Sequence, residues 1–134
     1  MFAIKPYKKK KRKRNNLEMQ TQAAFFSWLS YYPRLRVSTF SIPNGGGRSL
    51  IEAVNLKRTG VLSGIPDVFM AIPNKTSCGA FIEFKASGNK VTKQQAAMME
   101  ILQENGYSCF VCCSLNEARE AVTKYLGDGF RPSL

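Results

Sequence analysis

Apolar and polar positions alternate between helical and strand spacing along most of the chain. Near the start, Glu18, Gln22, Phe25 and Leu29 fall on one face at steps of four, three and four, with Phe26 and Trp28 beside that stripe. A helix is expected there, capped by Asn15 or Asn16 and ended by Pro33. R-V-S-T-F-S-I at 36–42 alternates as a strand does, and residues 49–58 predict a short helix closing on Lys57 and Arg58. D-V-F-M-A-I (67–72), bounded by Pro66 and Pro73, reads as a strand. A-F-I-E-F-K-A (80–86) reads as its antiparallel hairpin partner across the N-K-T-S-C-G turn.

After an S-G-N turn, Thr92 is placed to cap a helix whose stripe is Gln95, Met98, Met99 and Leu102 and which stops at Asn105-Gly106. Y-S-C-F-V-C-C is too apolar for an exposed strand. Ser114 and Glu117 form a further capping-box pattern, opening a helix with Ala118, Ala121, Val122, Tyr125 and Leu126 inward and Gly127 as its stop. The order is α-β-(α)-β-β-α-β-α, which predicts an α/β domain with a small mixed sheet flanked by helices.

Charge sits where this pattern predicts burial. Side chains alternate along a strand, so Glu83 and Lys85 share one face of the segment while Ile82 and Phe84 share the other. Asp67, at the start of the paired strand, reaches the same end of the sheet. Two carboxylates drawn together repel unless a proton or cation lies between them, and oxygen ligation favours Mg²⁺ or Mn²⁺ over zinc. The competing reading is a same-face ion pair on an exposed strand, worth about 1 kcal/mol or less.

Composition narrows the chemistry. The 134 residues carry no histidine, which removes Ser-His-Asp and Cys-His catalysis and histidine-activated nucleases together. The four cysteines, Cys78, Cys109, Cys112 and Cys113, read as small core residues, and with no histidine and no second pair a structural zinc is not expected. Lys8, Lys9, Lys10, Lys11, Arg12, Lys13 and Arg14 are consecutive and supply most of the net charge of +11. Residues 1–14 are therefore expected to be a basic, disordered arm for a polyanion, followed by one domain over 15–134. Arg48, in P-N-G-G-G-R, is a second candidate phosphate contact, since the segment lacks the ending of a P-loop. No apolar run approaches a membrane span and no secretory h-region is evident, so a soluble, cytoplasmic protein is expected.

G-I-P-D-V-F, then F-I-E-F-K, then T-K-Q-Q, together with I-P-N-G-G upstream and N-G-Y downstream, resemble the VRR-NUC (virus-type replication-repair nuclease) domain of the PD-(D/E)xK superfamily. The resemblance covers about residues 16–126. It implies a restriction-endonuclease-like core, with Asp67 and Glu83 as metal ligands, Lys85 as the catalytic lysine and the Phe84 backbone carbonyl as a further ligand. It also implies Glu18 as the first-helix acid that completes the site, often through a metal-bound water, and Gln95 as the glutamine that follows the lysine. Glu18 has a rival reading as a first-turn acid favoured by the helix dipole, and Gln95 as half of a capping box with Thr92. Gln22 is left between a DNA contact and packing beside Glu18.

The function expected is a Mg²⁺- or Mn²⁺-dependent DNA endonuclease of the standalone phage type. A homodimer acting on four-way (Holliday) junctions or flaps in replication, recombination or repair is the expected form. A non-catalytic DNA-binding module working through its basic arm is the alternative from another class, and a sequence-specific restriction-like nuclease is the enzymatic one.

Overall fold

Five consecutive buried residues, Ala80–Phe84, make one strand the centre of the molecule, covered on both faces. The computed structural model describes residues 10–43 and 49–127. In chain order the elements are α1 (Lys10–Leu29), α2 (Pro33–Arg36), β1 (Thr39–Ser41), α3 (Leu50–Arg58), β2 (Val68–Met70), β3 (Ala80–Phe84), α4 (Lys93–Glu104), β4 (Ser108–Cys112) and α5 (Leu115–Leu126). The sheet order is β1-β2-β3-β4. The first three strands form an antiparallel meander, and β4 joins β3 in parallel through the α4 crossover that parallel pairing requires.

The two faces of the sheet differ. Val68, Met70, Ala80, Ile82, Phe84 and Cys112 form one core with Phe25 and Leu29 of α1 and Ala118, Val122 and Tyr125 of α5. Phe25 and Phe84 meet with ring centroids 5.6 Å apart. Each such large side chain removed from water contributes about 1.5–3 kcal/mol. The opposite face carries a ring cluster of Phe69, Phe81 and Tyr107, with Phe69 and Phe81 centroids 4.5 Å apart; the buried Met99 ties α4 to β4, its carbonyl accepting from Cys109 Sγ at 3.8 Å.

Several local expectations are corrected. α1 begins at Lys10, so Asn15 and Asn16 lie inside the helix rather than capping it, and the boundary drawn after residue 14 falls within α1. Lysine and arginine are good helix formers, so a helix anchored by its apolar stripe extends back through them. Pro33 does not end α1, which stops at Leu29; it opens α2 from its first turn, where its missing N–H costs nothing. The Ser114 hydroxyl accepts from the Glu117 N–H at 3.1 Å, but the Glu117 carboxylate accepts from the Cys113 N–H instead of closing the box on Ser114. Ser114 has φ −151°, against −71° and −64° at the two caps whose boxes close, Thr92 and Ser49, and this turns its own N–H away. All four cysteines are free thiols, and Cys78 is exposed rather than a core residue because it lies in the β2–β3 connection. Burial pushes the Cys109 thiol up to about 11 and Cys112 to about 12, so neither is a ready nucleophile.

Candidate active site

The site is assembled at one end of β3 by a turn that only glycine permits. Gly64 has φ +81°, and a Cβ there would lie 3.0 Å from Gln94 Cγ and 3.1 Å from the Gln94 carbonyl. The turn therefore lies directly on the first residues of α4. Pro66 is fully buried, and the Asp67 carbonyl accepts from the Ile42 N–H at 2.7 Å, which extends the β1–β2 ladder by one step. The register Val68 opposite Ile82 then sets Asp67 across from Glu83. Asp67 Oδ2 accepts from the Phe84 N–H at 2.8 Å, so the strand backbone aims the carboxyl.

Glu83 is only 3% exposed. Its Oε1 accepts from Gln95 Nε2 at 2.8 Å and lies 3.5 Å from Lys85 Nζ. Its Oε2 is buried and has no hydrogen-bond donor. Asp67 is within hydrogen-bonding reach, but an ionised carboxylate offers only acceptors. Burial, reinforced by the neighbouring Asp67 charge, raises the Glu83 carboxyl to about 7 despite Lys85. Burial also raises Asp67, with the Phe84 N–H partly offsetting it. Two acids held this way share one proton or one cation between them.

Gln95 serves two purposes at once. Its Oε1 accepts from the Thr92 N–H at 2.9 Å while the Thr92 hydroxyl accepts from the Gln95 N–H at 3.1 Å, a closed capping box. A backbone N–H can only donate, so the amide oxygen faces Thr92 and the amide nitrogen faces Glu83. The cap thereby fixes the donor that holds the buried carboxylate. Glu18 reaches the same region from α1: its Oε1 accepts from the Ala86 N–H at 3.2 Å, just beyond β3. These side chains line one cleft of about 470 Å³, whose further wall comes from α3 and the turn after it.

The VRR-NUC domain family model matches residues 5–115, most of the chain. The chain belongs to the VRR-NUC domain family. A solved structure titled "VRR_NUC domain protein" is similar to it with a TM-score of 0.70 and 27% identity, over 84% of this chain and 91% of its own. No curated protein matches. Membership in the VRR-NUC family implies a nuclease-type function, and the four-strand mixed sheet with its flanking helices is consistent with that fold.

Against this VRR-NUC frame, Glu18, Asp67, Glu83, Lys85 and Gln95, the set that the resemblance implies, all line the one cleft. Phe84 enters through its backbone N–H, with its ring in the core against Phe25. Gln22 turns aside: its Nε2 donates to Ser41 Oγ at 3.2 Å, tying α1 to β1. Lys10–Arg14 fall within α1, while Lys8, Lys9 and Arg48 lie outside the described residues. Lys57 lines the cleft and was read from sequence only as a helix terminus. No helix among the described residues is long and apolar enough to cross a membrane.

The donor set suits a hard cation better than a soft one. Among the described residues, no three His, Cys, Asp or Glu side chains converge as a ready-made cage. The available protein donors are the Asp67–Glu83 oxygens, and the donorless Glu83 Oε2 is the atom whose burial a cation would offset. Glu18, which accepts from the Ala86 N–H, lines the same cleft.

Proposed function

We propose that this VRR-NUC protein is a Mg²⁺- or Mn²⁺-dependent DNA endonuclease, with Asp67, Glu83 and Lys85 as its reacting set. The observation that carries the reading is Glu83. One of its oxygens is held by Gln95 and Lys85, while the other is buried without a donor beside a second carboxyl. A carboxylate kept only for stability would have both oxygens satisfied or stand in solvent.

Asp67, Glu83 and the Phe84 carbonyl would hold the cation, with Glu18 completing the set through a water. When bound, such an ion supplies Lewis-acid stabilisation of phosphate oxygens and lowers the pKa of a water nucleophile. Lys85, anchored 3.5 Å from Glu83, orients the attacking water for in-line displacement and offsets charge on the pentavalent phosphate. Gln95 keeps Glu83 in the orientation that leaves Oε2 facing its neighbour. Asp67 is held by the strand it must act beside, so the phosphate meets groups already aligned. A two-fold dimer cutting four-way junctions or flaps belongs to the same proposal, because two such sites would address two strands.

A panel of labelled duplex, flap and four-way-junction DNA, incubated with purified protein in Mg²⁺ and in Mn²⁺, tests this. Endonucleolytic products are expected, most from the branched forms, and none in excess chelator. Every substrate left intact in both ions would overturn the proposal.

A further inference from the structure

α3 is turned inside out. Its capping box is complete, with the Glu52 N–H donating to Ser49 Oγ at 3.2 Å and the Ser49 N–H to Glu52 Oε2 at 3.0 Å, so the helix is well defined at its start. Yet none of its residues is buried, and Leu50 and Ile51 are 82% and 75% exposed. Ala53, Leu56 and Lys57, at the i, i+3, i+4 spacing of one helix face, line the active-site cleft. A helix that leaves leucine and isoleucine in water while turning a lysine toward the cleft is not arranged for packing alone.

The favourable position of a cation in the last turn of a helix accounts for Lys57 and Arg58 equally, and Arg58 does not line the cleft. Nor is Lys57 present to neutralise the acids. The ion pair formed among the described residues is Lys85 with Glu83, so Lys57 is bonded to none of the cleft's three carboxylates. Among the described residues it is an ammonium with no ion-pair partner, on the same cleft as the reacting set. Ammonium groups so placed bind phosphate oxygens as point charges.

We propose that Lys57 is a substrate-positioning residue. From the α3 wall of the cleft it binds a backbone phosphate flanking the scissile one, so that the nucleic-acid strand lies between α3 and the end of β3. The proposal rests on the nuclease reading above. It assigns α3 a role in holding the strand, independent of base identity.

Binding of labelled DNA by fluorescence anisotropy, titrated with salt in Mg²⁺, tests it in a Lys85→Ala background where the DNA stays whole. Adding Lys57→Gln should weaken binding several-fold and flatten the slope of log K against log salt by about 0.9, the loss of one phosphate contact. Lys57→Arg should restore both, and Arg58→Gln should leave the slope within error of the parent. In the otherwise native enzyme, Lys57→Gln should raise KM with kcat nearly unchanged. An unchanged slope for Lys57→Gln, or one matched by Arg58→Gln, would overturn the proposal even if the enzyme cuts. A protein that binds with the Lys57-dependent slope but never cuts would instead contradict the nuclease reading alone.

Discussion

β3 presents two faces built from the same five-residue run, and they obey different rules. Toward α1 and α5, Ala80, Ile82 and Phe84 are buried among apolar side chains, and the polar atom left without a partner on that face is the neutral Thr39 hydroxyl. Toward α4, Phe81 and Glu83 are also buried, but Glu83 carries an oxygen with no donor and a carboxyl raised to about 7. One face converts burial into stability; the other spends some of it to hold a strained electrostatic arrangement. That division predicts that substitutions on the two faces will separate activity from stability.

The sharpest break in the comparison is on the acidic face. Glu83→Gln should lower cleavage by about 10²–10⁴-fold, the range for loss of a group acting in the transition state. Thermal melting of the same variant should show no loss of stability, because the amide removes the cost of a buried charge. A variant that melts early in proportion to its lost activity would erase the distinction. On the apolar face, Phe25→Ala should destabilise by about 3–5 kcal/mol in chemical denaturation, as expected for a buried ring. At temperatures where it stays folded, it should still cut.

Gln95 belongs to both accounts, so its replacement sharpens the line between them. Gln95→Glu keeps an acceptor for the Thr92 N–H but removes the donor to Glu83 and adds a third carboxylate beside it. Cleavage should fall by about 10–100-fold, the equivalent of a charged hydrogen bond, and the melting temperature should fall with the loss of a donor to a buried carboxylate. If cleavage is unchanged although the donor to Glu83 is gone, Gln95 is a cap only.

A further effect is in pH. Glu83 is raised from 4.5 to about 7, so its contribution to stability is fully present below pH 4.5 and is lost as pH rises to about 7. The reason is that the unfolded chain gives up the proton first. Between those limits the wild-type protein in chelator should lose stability with rising pH relative to Glu83→Gln. Added Mg²⁺ competes with that proton, and its stabilising effect on melting should be larger at pH 8 than at pH 6. Parallel curves for wild type and Glu83→Gln would contradict the assignment.

Much of this was legible because the local chemistry is strict. Alternation along 81–85 placed Glu83 and Lys85 on one face, and the G-I-P-D turn carried a glycine that the contact with Gln94 demands. Thr92 and Gln95 sat at capping-box spacing, and the box is there. What stayed hidden depends on three-dimensional context. A lysine at a helix end looks the same in sequence whether it faces solvent or a cleft, so Lys57 passed as a terminus. The start of α1 at Lys10 follows from propagation out of a packed helix, which basic composition alone does not disclose. Glu117 was expected to close on Ser114, but the extended φ at Ser114 sends it to Cys113.

The central claim, that charge buried at the end of β3 is there for phosphodiester hydrolysis, is tested most directly by Lys85→Ala beside wild type on one labelled branched DNA in Mg²⁺. The account predicts that the variant binds within a few-fold of wild type and stays folded at the assay temperature, yet yields no product. A variant that cuts at the wild-type rate, or a wild type that binds the same DNA and leaves it whole, would contradict it.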